Sequence, residues 1–218
     1  MKRFFLAIAL CFGIMAGYAQ EEKSAIEITN EGNEALRTKD YPKALELYEQ
    51  ALSKLTDGIQ DTAMYYHMAY SAYQIKNFDK AIKYFDESIK LNYKKETAFL
   101  YKANSYKLLK DEDNYVKTLE EALAQSPNDA KVKSMLAIVY LKQANVFYTN
   151  GAKILKQAAA DVAAAKYKTT DPQYKDAEAK ADVEFKKALP IIDKALSFDP
   201  ENATAKQLKS ACEQTIKG

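Results

Sequence analysis

Apolar and aromatic residues recur three and four apart over most of this chain, which is the spacing of one face of an α-helix. The stretches "YPKALELYEQALSKL" (41–55) and "FDKAIKYFDESIKLN" (78–92) share one order: an aromatic, Lys-Ala-aliphatic, a second aromatic, a small residue and an aliphatic. Each follows another helical stretch, so that 26–55, 65–92 and 99–128 read as helix pairs. Gly32, Ala69 and Ala103 hold equivalent positions in them, 37 and 34 residues apart. Small residues at such positions let helices approach to about 8–10 Å while aromatics fill the adjoining gaps. One pair cannot bury its own apolar face, so the pattern predicts stacked pairs with a shared interior.

A fourth unit opens at "AKVKSMLAIVYLKQ" (130–143) with Ala137 in the small position. Its matching second helix, "FKKALPIIDKALSFDPEN" (185–202), comes late, with 51 residues from Ala137 to Ala188. The insertion between them, about 144–182, has a seven-residue period: Ala144, Gly151, Ala158 and Ala165 alternate with Tyr148, Leu155 and Val162. Tyr174, Ala177, Ala181, Ala188 and Ala195 form the opposing seam, and "TTDP" (169–172) supplies a turn. The expectation is a long antiparallel hairpin reaching roughly 30 Å beyond the array. Gly151 either lies in the seam or ends a helix after Asn150; its register favours the seam. Pro190 should kink the returning helix by removing the hydrogen bond to the Lys186 carbonyl. Residues 203–217 form a last single helix that caps the array, and the units run over about 25–58, 62–93, 96–128 and 130–202.

The repeat resembles the tetratricopeptide repeat (TPR) family, whose unit is 34 residues. The second-helix matches are Tyr41, Ala44, Tyr48, Ala51; Phe78, Ala81, Phe85, Ser88; and, more weakly, Leu119, Ala122, Pro127. The third unit departs from the pattern, with Tyr115 in a position usually held by Ala and Glu112 in place of the aromatic. The resemblance implies an all-α fold, an α-solenoid of TPR-like antiparallel helix pairs. It also implies a non-catalytic scaffold or adaptor that binds a protein or peptide partner in a concave groove lined by the first helices. By register the groove residues are Thr29, Asn33, Leu36 and Arg37; Tyr66, Tyr70, Tyr73 and Gln74; Leu100, Asn104, Lys107 and Leu108; and Ser134, Ile138, Leu141 and Lys142. The family's clamp for a C-terminal carboxylate is not reproduced: its places hold Thr29, Asn33, His67, Thr97 and Tyr101, of which only Asn33 fits. Tyr66, Tyr70 and Tyr73 share one helical face. They either anchor a partner, with Asn33, Gln74 and Asn104 beside them as hydrogen-bonding groups, or fill the core between repeats. A glycan or small peptide in the tyrosine-lined groove is the alternative function.

Composition adds mostly exclusions. Lys2 and Arg3 precede an apolar run from Phe4 to Ala16, and Gly17-Tyr18-Ala19 then offers small residues for cleavage. That is the form of a signal peptide over 1–19, and it predicts export to the periplasm or cell envelope of a Gram-negative bacterium. The run is shorter than the roughly 20 residues a spanning helix needs. Without the leader the 32 basic residues fall to 30, equal to the 30 acidic ones, so nothing in the charge suggests nucleic acid. His67 is the single histidine, which leaves no usual metal cluster or catalytic triad, and the glycines form no phosphate loop. The expectation is therefore no enzyme, no cofactor and no metal. Cys212, left alone after the leader, is either a small core residue or a reactive or intermolecularly bridging thiol. Self-association through the Ala-rich seam is a further possibility. "NAT" (202–204) has the form of a eukaryotic N-glycosylation acceptor but follows a bacterial-type leader. "DTA" (61–63) reads either as an O-glycosylation acceptor at Thr62 or as a helix cap.

Overall fold

A computed structural model describes residues 23–55 and 62–217. The expected leader, and Asp61 of the acceptor-like triplet, lie outside them. Among the described residues the chain forms only helices: α1 (Ala25–Arg37), α2 (Tyr41–Lys54), α3 (Thr62–Gln74), α4 (Phe78–Lys90), α5 (Lys95–Leu108), α6 (Glu112–Gln125), α7 (Ala130–Ala163), α8 (Pro172–Phe198) and α9 (Ala203–Lys217).

Local chemistry sets the turns. Within each of the first three pairs the first helix ends on a lysine in the left-handed region: Lys39 (φ 63°), Lys76 (φ 62°) and Lys110 (φ 61°). The next residue then closes a Schellman-type bond back across the last turn, as in Asp40 N to Ala35 O at 2.8 Å, Asn77 N to Ala72 O at 2.9 Å and Asp111 N to Tyr106 O at 3.0 Å. Those same Asp40, Asn77 and Asp111 side chains cap the second helices by accepting from the amides of Lys43, Lys80 and Asn114. One residue thus ends one helix and starts the next, which fixes the angle between them three times over.

Packing follows the small positions. A Cβ on Gly32 would stand 2.9 Å from the Tyr48 ring, and Tyr48 is wholly buried. Ala44, Ala69, Ala81 and Ala103 are equally buried, with Phe85 and Leu119 between them. The backbones of neighbouring first helices α1, α3 and α5 approach one another, whereas those of α2, α4 and α6 stay apart, with α2 and α4 bridged by the long side chains of Glu49, Lys80 and Tyr84. The array therefore curves with its first helices on the inner side. Three apolar clusters run along it, joined by Ile89 between the first and second and by Leu141 and Ile191 between the second and third. Between the third and fourth units the curve opens: Tyr115, buried where Ala44 and Ala81 stand in earlier units, borders a cleft of about 430 Å³ against Ile138 and Val139 of α7.

α7 is continuous through Gly151, at 34 residues or about 50 Å. Gly151 is needed for closeness: a Cβ there would meet the Phe185 ring at 2.8 Å and the Ala181 carbonyl oxygen at 3.1 Å. Two details of the hairpin differ from the sequence expectation. Ala165 is not a seam residue; it has φ 57° and Lys166 N bonds Asp161 O at 3.0 Å, so it terminates α7 as Gly would. Nor does the hairpin project free of other helices. α9 packs along α8 and touches α7, with Leu208 beside Leu141 and Tyr148, and Ile216 beside Leu155 and Tyr174. The base and middle of the hairpin are thus a three-helix layer, with Cys212 fully buried inside it. Pro190 lies on the exposed side of α8, which continues through it as helix.

Candidate docking groove

The tyrosines of α3 divide by depth. Tyr66 is 8% exposed, its ring set edge-on to Phe85 at 5.8 Å and to Tyr93 at 6.0 Å. Burial is the chief reason its phenol is pushed up to about 12, with Tyr101, Tyr70 and Tyr93 adding to the effect, so it stays a proton donor at any physiological pH. Tyr70, one turn on, is half-buried and meets Tyr41 and Tyr101 edge-on at 5.9 and 5.6 Å. Tyr73 turns toward α5, where its ring lies 5.0 Å from Tyr101 and its hydroxyl accepts from the Asn104 amide. Tyr101 in turn stacks flat on Phe85 at 5.6 Å. The row is therefore both core and surface: Tyr66 belongs mainly to the interior, Tyr73 joins α3 to α5, and Tyr70 faces the groove.

An open cleft of about 370 Å³ runs over this row, bordered by Leu36, Arg37, Lys39, Tyr41, Tyr66, His67, Tyr70 and Lys94. Of the sixteen residues expected from register, Leu36, Arg37, Tyr66 and Tyr70 come together here. Burial raises the Tyr70 phenol, and Gln74, one turn along the same helix, partly opposes that rise. Asn33 accepts from the Tyr48 hydroxyl at 2.8 Å, and Asn104 is held by Tyr73, so both serve the packing of helices. Lys107 lies apart, 5.9 Å over the Tyr115 ring in the cleft before α7. The remaining register positions are scattered along the same inner side, with Leu108 and Ile138 its exposed apolar members at 50% and 61%.

Sequence reasoning missed Lys39, Tyr41 and Lys94 as groove residues, and read His67 mainly as an ordinary helix residue. Lys94 precedes α5 in a left-handed conformation (φ 45°), with Nζ 4.8 Å above the Tyr66 ring. His67 packs on Tyr48 and Tyr66 at the floor of the cleft. Tyr41 was visible as the aromatic that opens a second helix, but its reach across to Tyr70 was not. Among the described residues no three His, Cys, Asp or Glu side chains are placed to share a metal ion, and no helix is long and apolar enough to cross a membrane.

Residues 62–95 and 97–129, the span of α3 to α6, each match a family model described as a tetratricopeptide repeat. A crystal structure of a TPR-repeats protein from Bacteroides fragilis is 28% identical, aligns over 88% of this chain and 99% of its own, and superposes with a TM-score of 0.58. The chain is a TPR protein. That likeness extends beyond the two matched units to most of the helices described above. The Photosystem I assembly protein Ycf3 of Prochlorococcus marinus is 23% identical over 121 residues, 47% of this chain and 67% of its own. YrrB, whose structure is described as a TPR protein with an unusual peptide-binding site, is 20% identical over 88% of this chain and 94% of its own, with a TM-score of 0.45. TPR proteins are protein-interaction scaffolds that bind protein or peptide partners and are generally non-catalytic, and this TPR chain has that architecture.

Proposed function

We propose that this TPR protein is an adaptor of the cell envelope that holds a polypeptide partner on its inner face, over α1, α3 and the start of α5. The observation that carries the reading is Tyr70, a half-buried aromatic in an open cleft, flanked by Tyr41 and Tyr66. Rigid amphipathic rings in such a setting supply contact area at low entropic cost and donate hydrogen bonds from their rims. An enclosed pocket would suit a glycan or other small ligand; a cleft open along its length suits an extended chain. Pull-down from envelope extract tests this with Tyr70→Ala in preference to Tyr66→Ala, because Tyr66 is core and its loss would disturb folding. Partners retained by the wild type should be lost by Tyr70→Ala; the same partners on both would remove the groove from the account.

Export belongs to the same proposal. Its support is the basic start, the apolar run and the small residues up to Ala19, and its test is fractionation with N-terminal sequencing. A chain beginning at Gln20 outside the cytoplasm is expected. Recovery of the uncleaved chain from the cytoplasm would contradict it.

A further inference from the structure

The cleft over Tyr66 and Tyr70 differs in charge from the clefts along the hairpin and before α7. The cleft along the hairpin mixes Lys153 and Lys180 with Asp161, Asp176 and Glu184, and the one before α7 sets Glu112 among its lysines. Here the border carries Arg37, Lys39 and Lys94 and no carboxylate. Arg37 is already engaged, donating to both oxygens of Glu34 at 2.6 and 2.8 Å. Among the described residues Lys39 and Lys94 have no ion-pair partner. They also stand at different ends of a short aromatic row. Lys94 lies over Tyr66, while Lys39 is near enough to Tyr70, one turn later, to act on its hydroxyl's acidity. Lys94 further marks the start of α5, a 14-residue helix whose N-terminus has no side-chain cap and carries one carboxylate, Glu96, in its first turn.

We propose that the occupant of this cleft is an extended acidic segment of the partner polypeptide, with carboxylate side chains on alternate residues, one held by Lys94 and the other by Lys39. The proposal rests on the groove reading above and specifies its partner. Alternate side chains of an extended chain are about 6.8 Å apart, close to the rise of about 6 Å over the four residues from Tyr66 to Tyr70. Between the two carboxylates the segment lies on the exposed part of Tyr70, with the buried Tyr66 as the floor beneath it. Tyr hydroxyls on the rim remain protonated and available as donors to carboxylate oxygens, and such charge-assisted bonds are the stronger kind. The equal numbers of acidic and basic residues beyond the expected leader mean that the attraction is local to the cleft and not a property of the whole surface.

The test pans a random dodecapeptide library with blocked C-termini against the full chain, then measures the most enriched peptide against variants. Enrichment of Asp or Glu at alternate positions beside apolar residues is expected. A Lys39→Glu/Lys94→Glu variant should bind that peptide at least about tenfold more weakly, and salt should weaken the wild-type complex. Replacing each acidic residue of the peptide by Lys should restore binding to the reversed variant. Both lysines are exposed, so an unchanged thermal midpoint serves as the folding control. Enriched neutral or basic peptides that Tyr70→Ala no longer binds would overturn the acidic occupant and leave the groove reading intact. Acidic peptides bound as tightly by the reversed variant as by the wild type would overturn the assignment to this cleft. A library that yields no binder would overturn both.

Discussion

Single positions decide how closely the helices of this TPR protein meet. Ala in place of Gly gains about 1 kcal/mol of helix propensity at an unconstrained site. At Gly151 the new methyl would press on the Phe185 ring and on the Ala181 backbone, and the carbonyl cannot rotate away. Gly151→Ala should therefore cost a net 1–3 kcal/mol or so, read as a lowered thermal midpoint. Lys76 presents the opposite case. It spends its native life in a left-handed conformation that costs a residue with a Cβ roughly 1–2 kcal/mol, so Lys76→Gly should raise stability by about 0.5–1 kcal/mol in urea unfolding. Titration sets a further expectation. Burial raises Tyr66 to about 12 in the folded chain, above the ordinary value near 10 it regains on unfolding. Its contribution is therefore fully present below about pH 10 and is lost as pH rises through 12. Midpoints measured from pH 8 to 11.5 should fall on the alkaline side, and less so in Tyr66→Phe.

At the scale of elements, much was legible and the failures have physical causes. The pairs α1 to α6 follow from a helical period punctuated by turn residues, because small and aromatic positions recur in a fixed register. The end of α7 was not legible: Ala165 occupies a place where Gly would have announced the stop, and its heptad register pointed the other way. The path of α9 was not legible either, since an amphipathic helix shows which face it buries but not along which neighbour it lies. Among the site residues, the row on α3 could be read from spacing, whereas the depth of each ring depends on Tyr93, Phe85 and Tyr101 from later elements. Lys94 enters the cleft through a backbone conformation that lysine rarely adopts. The buried Cys212 makes α9 testable: the thiol should resist labelling in the native chain, and Leu208→Ala, which removes part of the contact with α7, should speed labelling while costing about 1–3 kcal/mol. Rapid labelling of the wild type would contradict the placement of α9.

Over the whole molecule, polar ties repeat between units as the apolar core does. Lys80 and the Tyr84 hydroxyl both meet Glu49 across from α4 to α2, at 2.6 and 2.7 Å, and Lys194 and Tyr140 of the fourth unit meet Glu120 of α6, at 2.8 and 2.7 Å. For Glu49 burial pushes the carboxyl up, but the bonds from Lys80 and Tyr84 outweigh it and hold it below its ordinary value. Glu120 is lowered chiefly by Lys194 and then by Tyr140. Both contribute stability above the ordinary carboxyl range that disappears as pH falls through their lowered values. Because each unit is tied only to its neighbours, a partner bound at one end should be felt mainly by the units it touches, as in other quasi-linear repeats. Amide hydrogen exchange of the chain with and without its captured partner tests the account most directly. Slowed exchange confined to α1, α3 and the first turns of α5, with the α7–α8 hairpin unchanged, is the predicted result; protection on the hairpin with α3 unaltered would contradict it.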